Sequence, residues 1–128
     1  MPLERIQPEG MHCLPLFAHV VKAGNTVYIA GQVALHANGQ IVGPGDISAQ
    51  TRQAFENLKT ALASVDANFR NLARITVYAT DAGYRPAIAA VRREYLGSPD
   101  PVASTFVAVA GLALPEFLVE IDGVAALD

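Results

Sequence analysis

Between Ala54 and Thr80 the hydrophobic period of this chain changes once, from helical to alternating, and that change restricts the fold more than any other feature. Ala54, Phe55, Leu58, Ala61, Leu62 and Val65 recur at helical spacing, while Gln50, Arg52, Glu56, Lys59 and Asp66 fall largely off the stripe. The spacing predicts a one-faced amphipathic helix, capped at its start by Asp46 or Ser48 and ending at Asp66-Ala67-Asn68. Leu72 to Thr80 then alternates, with Ala73, Ile75, Val77 and Ala79 on one face and Arg74, Thr76, Tyr78 and Thr80 on the other. A helix with one apolar face beside a half-buried strand calls for a layered structure, in which each apolar face covers another.

The flanking segments extend that pattern. His19–Ala23 and Thr26–Ala30 are β-prone runs around Ala23-Gly24-Asn25, which predicts a tight hairpin. Val33-Ala34-Leu35 leads to a second turn at Asn38-Gly39, and Gly43-Pro44-Gly45 closes the loop region. A second helix is expected from near Pro86, with Ile88, Val91 and Tyr95 as its buried stripe. Gly97 terminates it, and Pro99 and Pro101 prevent continuation. Ser104 to Ala110 and Phe117 to Ala125 complete the order: strand pair, helix, strand, helix, strand pair. In the last strand, Phe117, Val119 and Ile121 share one face, and Leu118, Glu120 and Asp122 share the other. The expectation is a single α+β domain over residues 1–128, with both helices on one sheet face.

Composition limits the function classes. Apolar residues make up 52% of the chain and charged residues 16%, more apolar than the usual soluble balance, which favours burial of a sheet face between copies. There is no run of 18 apolar residues, so no membrane association is expected. The start lacks a basic segment followed by an apolar stretch, and a cytoplasmic location is expected. A net charge of −3 with scattered basic residues argues against nucleic-acid partners. His12, His19 and His36 follow no zinc spacing, the single Cys13 has no CxxC partner, and no Gly-Lys-Ser/Thr follows Gly43-Pro44-Gly45. No metal and no cofactor are expected.

Pro101-Val102-Ala103-Ser104-Thr105, running into Leu114-Pro115-Glu116-Phe117-Leu118-Val119-Glu120-Ile121, resembles the C-terminal signature of the Rid family, also called YjgF/YER057c/UK114. Gly24–Gln32, Gln50-Thr51 with Glu56-Asn57-Leu58, and Ile75–Tyr78 into Asp81 resemble further family segments, in order and at fitting distances from Pro15 to Ala125. The resemblance implies a chorismate-mutase-like fold, a mixed six-stranded sheet with two helices on one face. It also implies a homotrimeric barrel-like assembly with a cleft at each subunit interface.

For activity, it implies hydrolytic deamination of a reactive enamine or imine metabolite. The site departs from the deaminating pattern. Ala103 stands where those members carry a substrate-clamping arginine, and Phe17 where they carry a tyrosine. Ala30 replaces a serine, Thr105 a cysteine, Ile88 an asparagine and His19 a glutamine. Gly31 and Glu120 are retained.

Glu120 is the expected catalytic group, positioned by alternation away from the helix-packed core and able to take a proton from attacking water. The competing reading is an ion pair with a basic residue such as Arg74 at a subunit interface. Phe17, His19, Gly31, Ile88, Ala103 and Thr105 are the expected substrate-contacting positions; for His19 a structural hydrogen-bonding role competes. Without the arginine, a substrate larger than 2-iminopropionate, similar to 2-aminomuconate, is expected. The alternative is a non-catalytic trimer that binds a small metabolite. A ribonuclease role, also attached to the family, conflicts with the acidic charge.

Overall fold

The amphipathic stripe becomes helix α1, Ile47–Ala63, whose Asp46 carboxylate caps it by accepting from the Ala49 N–H at 3.0 Å. Phe55, Leu58 and Leu62 are fully buried, each contributing on the order of 2 kcal/mol. The helix stops at Ser64, before the expected Asp66-Ala67-Asn68, and Asp66 turns the chain in the left-handed region at φ 56°. The computed structural model describes residues 2–97 and 101–128, so the expected stop at Pro99 lies outside the described residues.

Six strands form one sheet: β1 (Leu3–Ile6), β2 (Val20–Ala23), β3 (Thr26–Gln32), β4 (Leu72–Ala79), β5 (Ala103–Ala108) and β6 (Val119–Ala126). Their spatial order is β1-β2-β3-β6-β4-β5, antiparallel throughout except for the parallel β4–β5 pair. Helix α1 lies across β3 and β6, and α2 (Arg85–Tyr95) packs beside it. Phe55 and Tyr95 stack across that helix pair, centroids 5.1 Å apart. Burial and the hydrogen bond to Glu56 push the Tyr95 hydroxyl up to about 12.

The β2–β3 hairpin forms as expected, with Gly24 at φ 60° in the two-residue turn. The turn at Asn38-Gly39 also forms, flanked by a Leu35–Ile41 bridge. Four expectations are corrected. Strand β1 was not foreseen; four mostly exposed residues at a sheet edge are too few to show a period. The last two strands are not neighbours: β6 inserts between β3 and β4, and β5 pairs with β4 at the far edge. Ala73 faces solvent rather than the core, because a register shift between Leu72 and Arg74 turns Leu72 inward instead. Gln50, expected off the buried stripe, is fully buried because its amide bonds to the backbone of Glu116 and Leu118 just before β6.

The faces of β6 are as read. Val119 and Ile121 are buried in the helix-covered core, and Glu120 projects from the opposite side. Phe117, expected on the inward face, precedes the strand and is buried against the cleft of Glu120 instead.

Candidate active site

Glu120 is placed by the two strands that flank β6. It pairs with Tyr78 of β4, and β3 passes on its other side where the β3–β6 register shifts between Ile29 and Gln32. Gly31 sits in that irregular stretch and leaves room for the carboxylate. A Cβ there would lie 2.6 Å from Cδ and 2.8 Å from Cγ of Glu120, and closer still to Oε2. Alanine at position 31 meets no backbone strain, only this collision. Gly31→Ala is therefore expected to rotate Glu120 out of its position while leaving the fold intact. A crystal structure of the variant, with its melting temperature, checks this.

The carboxylate projects into a cleft of about 620 Å³ whose walls are mostly apolar, among them Leu14, Phe17, Ala30, Val33, Leu114 and Phe117. Burial, and secondarily the negative charge of Asp122, raise Glu120 above the ordinary glutamate range. Asp122 itself accepts a hydrogen bond from the Tyr78 hydroxyl at 3.2 Å, and burial raises that tyrosine as well. The sole ion pair among the described residues is Arg52–Glu94, far from the cleft. Arg74 lies four residues along β4 from the Tyr78 partner of Glu120, roughly 13 Å away, so the two do not pair within one chain.

His19 is 7% exposed, and both of its ring nitrogens are engaged. Nε2 lies 2.7 Å from the His12 carbonyl, and Nδ1 lies 3.2 Å from the Gln32 amide nitrogen. A neutral ring with the proton on Nε2 satisfies both contacts. That places His19 as a post that ties the 12–19 segment to β3, with its ring edge-on to Phe17 at 5.6 Å. Gln7 supports the same segment by donating to the Phe17 carbonyl at 2.6 Å. The site-facing side of Phe17 depends on this scaffold; His19 has no free nitrogen for a ligand.

The cleft thus brings together Phe17, Gly31 and Glu120, with His19 behind them. The remaining expected positions lie elsewhere in the chain. Ile88 is 3% exposed and packs in the core, on the helix side of the sheet. Its place in the α2 stripe with Val91 governs its orientation, and it does not line the Glu120 cleft. Thr105 and Ala103 are exposed on β5, opposite Thr76 and Arg74 respectively. They share the sheet face of Glu120 but sit two strands away, roughly 10 Å across the sheet. No residue of β5 is positively charged.

Two polar residues that hold the cleft went unread in the sequence. The buried Gln50 side chain accepts from the Leu118 N–H at 2.9 Å and donates to the carbonyls of Glu116, at 2.9 Å, and Gly43, at 3.2 Å. It fixes the chain two residues before Glu120. The Asn57 amide donates to the carbonyls of Val33 and Leu35, both at 3.0 Å, and so sets the cleft wall. The signal available was a polar residue near the apolar stripe of a helix, which a period count assigns to solvent. Among the described residues, no group of His, Cys, Asp or Glu is disposed to hold a metal ion, and no helix is long and apolar enough to cross a membrane.

Comparison with known proteins gives a consistent picture. Residues 11–127 match the family model described as Endoribonuclease L-PSP. A 3-aminoacrylate deaminase, RutC, from Acinetobacter baylyi is 35% identical over 98% of both chains. A 2-iminobutanoate/2-iminopropanoate deaminase from Dermatophagoides farinae is 30% identical over 70% of both. The crystal structure of RidA from the Antarctic bacterium Psychrobacter superposes with a TM-score of 0.88 at 27% identity, covering 97% of this chain and 99% of that one.

Proposed function

Because the chain belongs to the Rid (YjgF/YER057c/UK114) family, whose members include imine and enamine deaminases, we propose that it hydrolyses a reactive enamine or imine with Glu120 as the general base. The observation that carries this reading is a half-buried carboxylate, raised by its surroundings. It is the sole acidic group among the described residues of a mostly apolar cleft whose other titratable lining residue is His12. Such a group holds a water and takes its proton as the oxygen adds to the imine carbon. The addition forms a carbinolamine. The imine reacts as its N-protonated form, which an enamine reaches by taking a proton at carbon. Return of the water proton from Glu120 to nitrogen then makes ammonia the leaving group. As the C–N bond breaks, the carbinol hydroxyl gives up its own proton to Glu120, leaving a carbonyl product. The substrates are intrinsically reactive, so positioning and one base suffice for acceleration.

The cleft volume and its apolar walls favour a substrate with more hydrocarbon than a three-carbon imino acid. A homotrimer completes the proposal. Tyr28 and Val107 remain 52% and 36% exposed in the single chain, the latter on the Glu120 face of β5, which suits burial against a neighbouring copy. Light scattering that returns three times the 13.5 kDa chain mass supports the assembly.

Ammonia release from freshly generated 3-aminoacrylate, 2-iminopropionate and 2-aminomuconate tests the activity. Acceleration that is greatest for the longest substrate is expected. No acceleration across the series, by a protein of trimer mass, would transfer the reading to a metabolite-binding trimer without catalysis.

The pH dependence follows from the same carboxylate. The base must be ionised, so the rate falls as pH falls through the Glu120 pKa. Burial and Asp122 raise that pKa, so the acid limb is expected above the ordinary glutamate value of about 4.3. Asp122→Asn removes one contribution and keeps an acceptor for Tyr78, so it is expected to move the limb toward lower pH. A limb that does not move in Asp122→Asn places the titrating group elsewhere.

A further inference from the structure

A second concavity, of about 390 Å³, opens on the helix side of the sheet between α2 and β5. Its floor is apolar, built from Val77, Ile88, Ala89, Leu96 and Phe106. Three arginines surround that floor: Arg85, Arg92 and Arg93. Helical spacing explains their convergence, since positions seven and eight residues after Arg85 return to the same side of α2. Arg92 Nη1 donates to Ser104 Oγ at 2.7 Å, which holds its guanidinium against β5. Arg85 lies over the Phe106 ring, 6.0 Å from the centroid. Arg93 makes no side-chain hydrogen bond or ion pair among the described residues. The nearby acid on the helix, Glu94, is turned to Arg52 of α1 at 2.9 Å, and no acidic residue among those described lines the groove.

Three like charges around one apolar floor repel one another, and an anion relieves that repulsion. Arg92 keeps donors to spare after its bond to Ser104, because a guanidinium carries five N–H groups. We propose that this groove binds a small carboxylate-bearing metabolite with an apolar body, its carboxylates held by Arg92 and Arg93 and its hydrocarbon on the Phe106–Leu96 floor. The guanidinium fork matches a carboxylate through paired N–H donors. The floor distinguishes such a ligand from inorganic phosphate, which would leave it uncovered. Val77 and Phe106 point to the helix side, whereas Glu120 and its partner Tyr78 are turned the other way. A ligand in the groove therefore does not reach Glu120 of the same chain, and the proposal stands apart from the deaminase reading.

The test is an amide-resolved NMR titration with adipate, 1,6-hexanediol and inorganic phosphate. It uses the full chain, its Arg93→Gln variant and its Arg92→Lys variant. Adipate is expected to shift Ala89, Leu96 and Ser104 saturably, the uncharged diol to leave them unmoved, and phosphate to bind there more weakly than adipate. Arg93→Gln breaks no side-chain hydrogen bond among the described residues and is expected to weaken adipate about tenfold. Arg92→Lys keeps the charge, loses the fork and is expected to weaken adipate while preserving the spectrum elsewhere. Equal adipate affinity in Arg93→Gln, shifts confined to residues around Glu120, or diol binding as tight as adipate would each overturn the site. Phosphate binding as tight as adipate would overturn the carboxylate class.

Discussion

Glu120→Gln is expected to release ammonia from its best substrate some 10²- to 10⁴-fold more slowly than the parent protein, the usual contribution of a positioned general base. Glutamine retains the size and shape of the side chain. It therefore fits the space that Gly31 leaves open, and the cleft keeps its form. What it lacks is a site for the proton of the attacking water. Because the carboxylate is half-buried and repelled by Asp122, neutralising it removes a destabilising charge, so the variant is expected to melt no lower than the parent. Loss of turnover without loss of stability separates a base from an assembly contact. A variant that keeps its rate would show that Glu120 takes no part in proton transfer. Measured with single-turnover kinetics and thermal denaturation on the same preparation, the two outcomes are distinct.

Gln50→Leu carries the largest expected effect on stability. The substitution keeps an apolar group of similar size within α1, but it strands the Leu118 N–H and the Glu116 and Gly43 carbonyls that the amide now satisfies. Each buried polar group left without a partner costs about 1–3 kcal/mol, less where water reaches it, and Glu116 is exposed. A loss of about 3 kcal/mol is expected, which for a domain of this size lowers the melting temperature by roughly 10 °C. Activity is expected to fall further than stability explains, because Leu118 sits two residues from Glu120. Denaturant titration alongside turnover at a temperature where the variant is folded checks both parts. An unchanged midpoint would mean that solvent takes over all three bonds.

These two residues also show what the sequence does and does not disclose. The orientation of Glu120 was legible because its neighbours Val119 and Ile121 mark the inward face, and a strand has only two faces. Helix α1 was legible because its apolar stripe is long. Gln50 was not, since hydropathy assigns an amide to water, and two of its three partners lie 66 to 68 residues further on in the chain. The same locality hid the insertion of β6 between β3 and β4: no local pattern says which strand a strand will join. Ile88 shows two lines of reading in conflict. Its helical spacing pointed to the core and the family resemblance to the cleft; in this chain the packing of α2 places it in the core.

The position of β6 has a temporal consequence. Strands β1, β2 and β3 form one block, β4 and β5 another, and β6 is the single strand hydrogen-bonded to both. Until residue 119 onward has left the ribosome, the two blocks share no ladder, and Glu120 has neither Gly31 nor Tyr78 beside it. A strand made after all those it joins is thus the zipper of the whole sheet and the carrier of its reactive group. A ribosome that stalls before that segment leaves two open sheet edges with nothing to join them, and such edges are the surfaces on which nascent chains pair with the wrong partner.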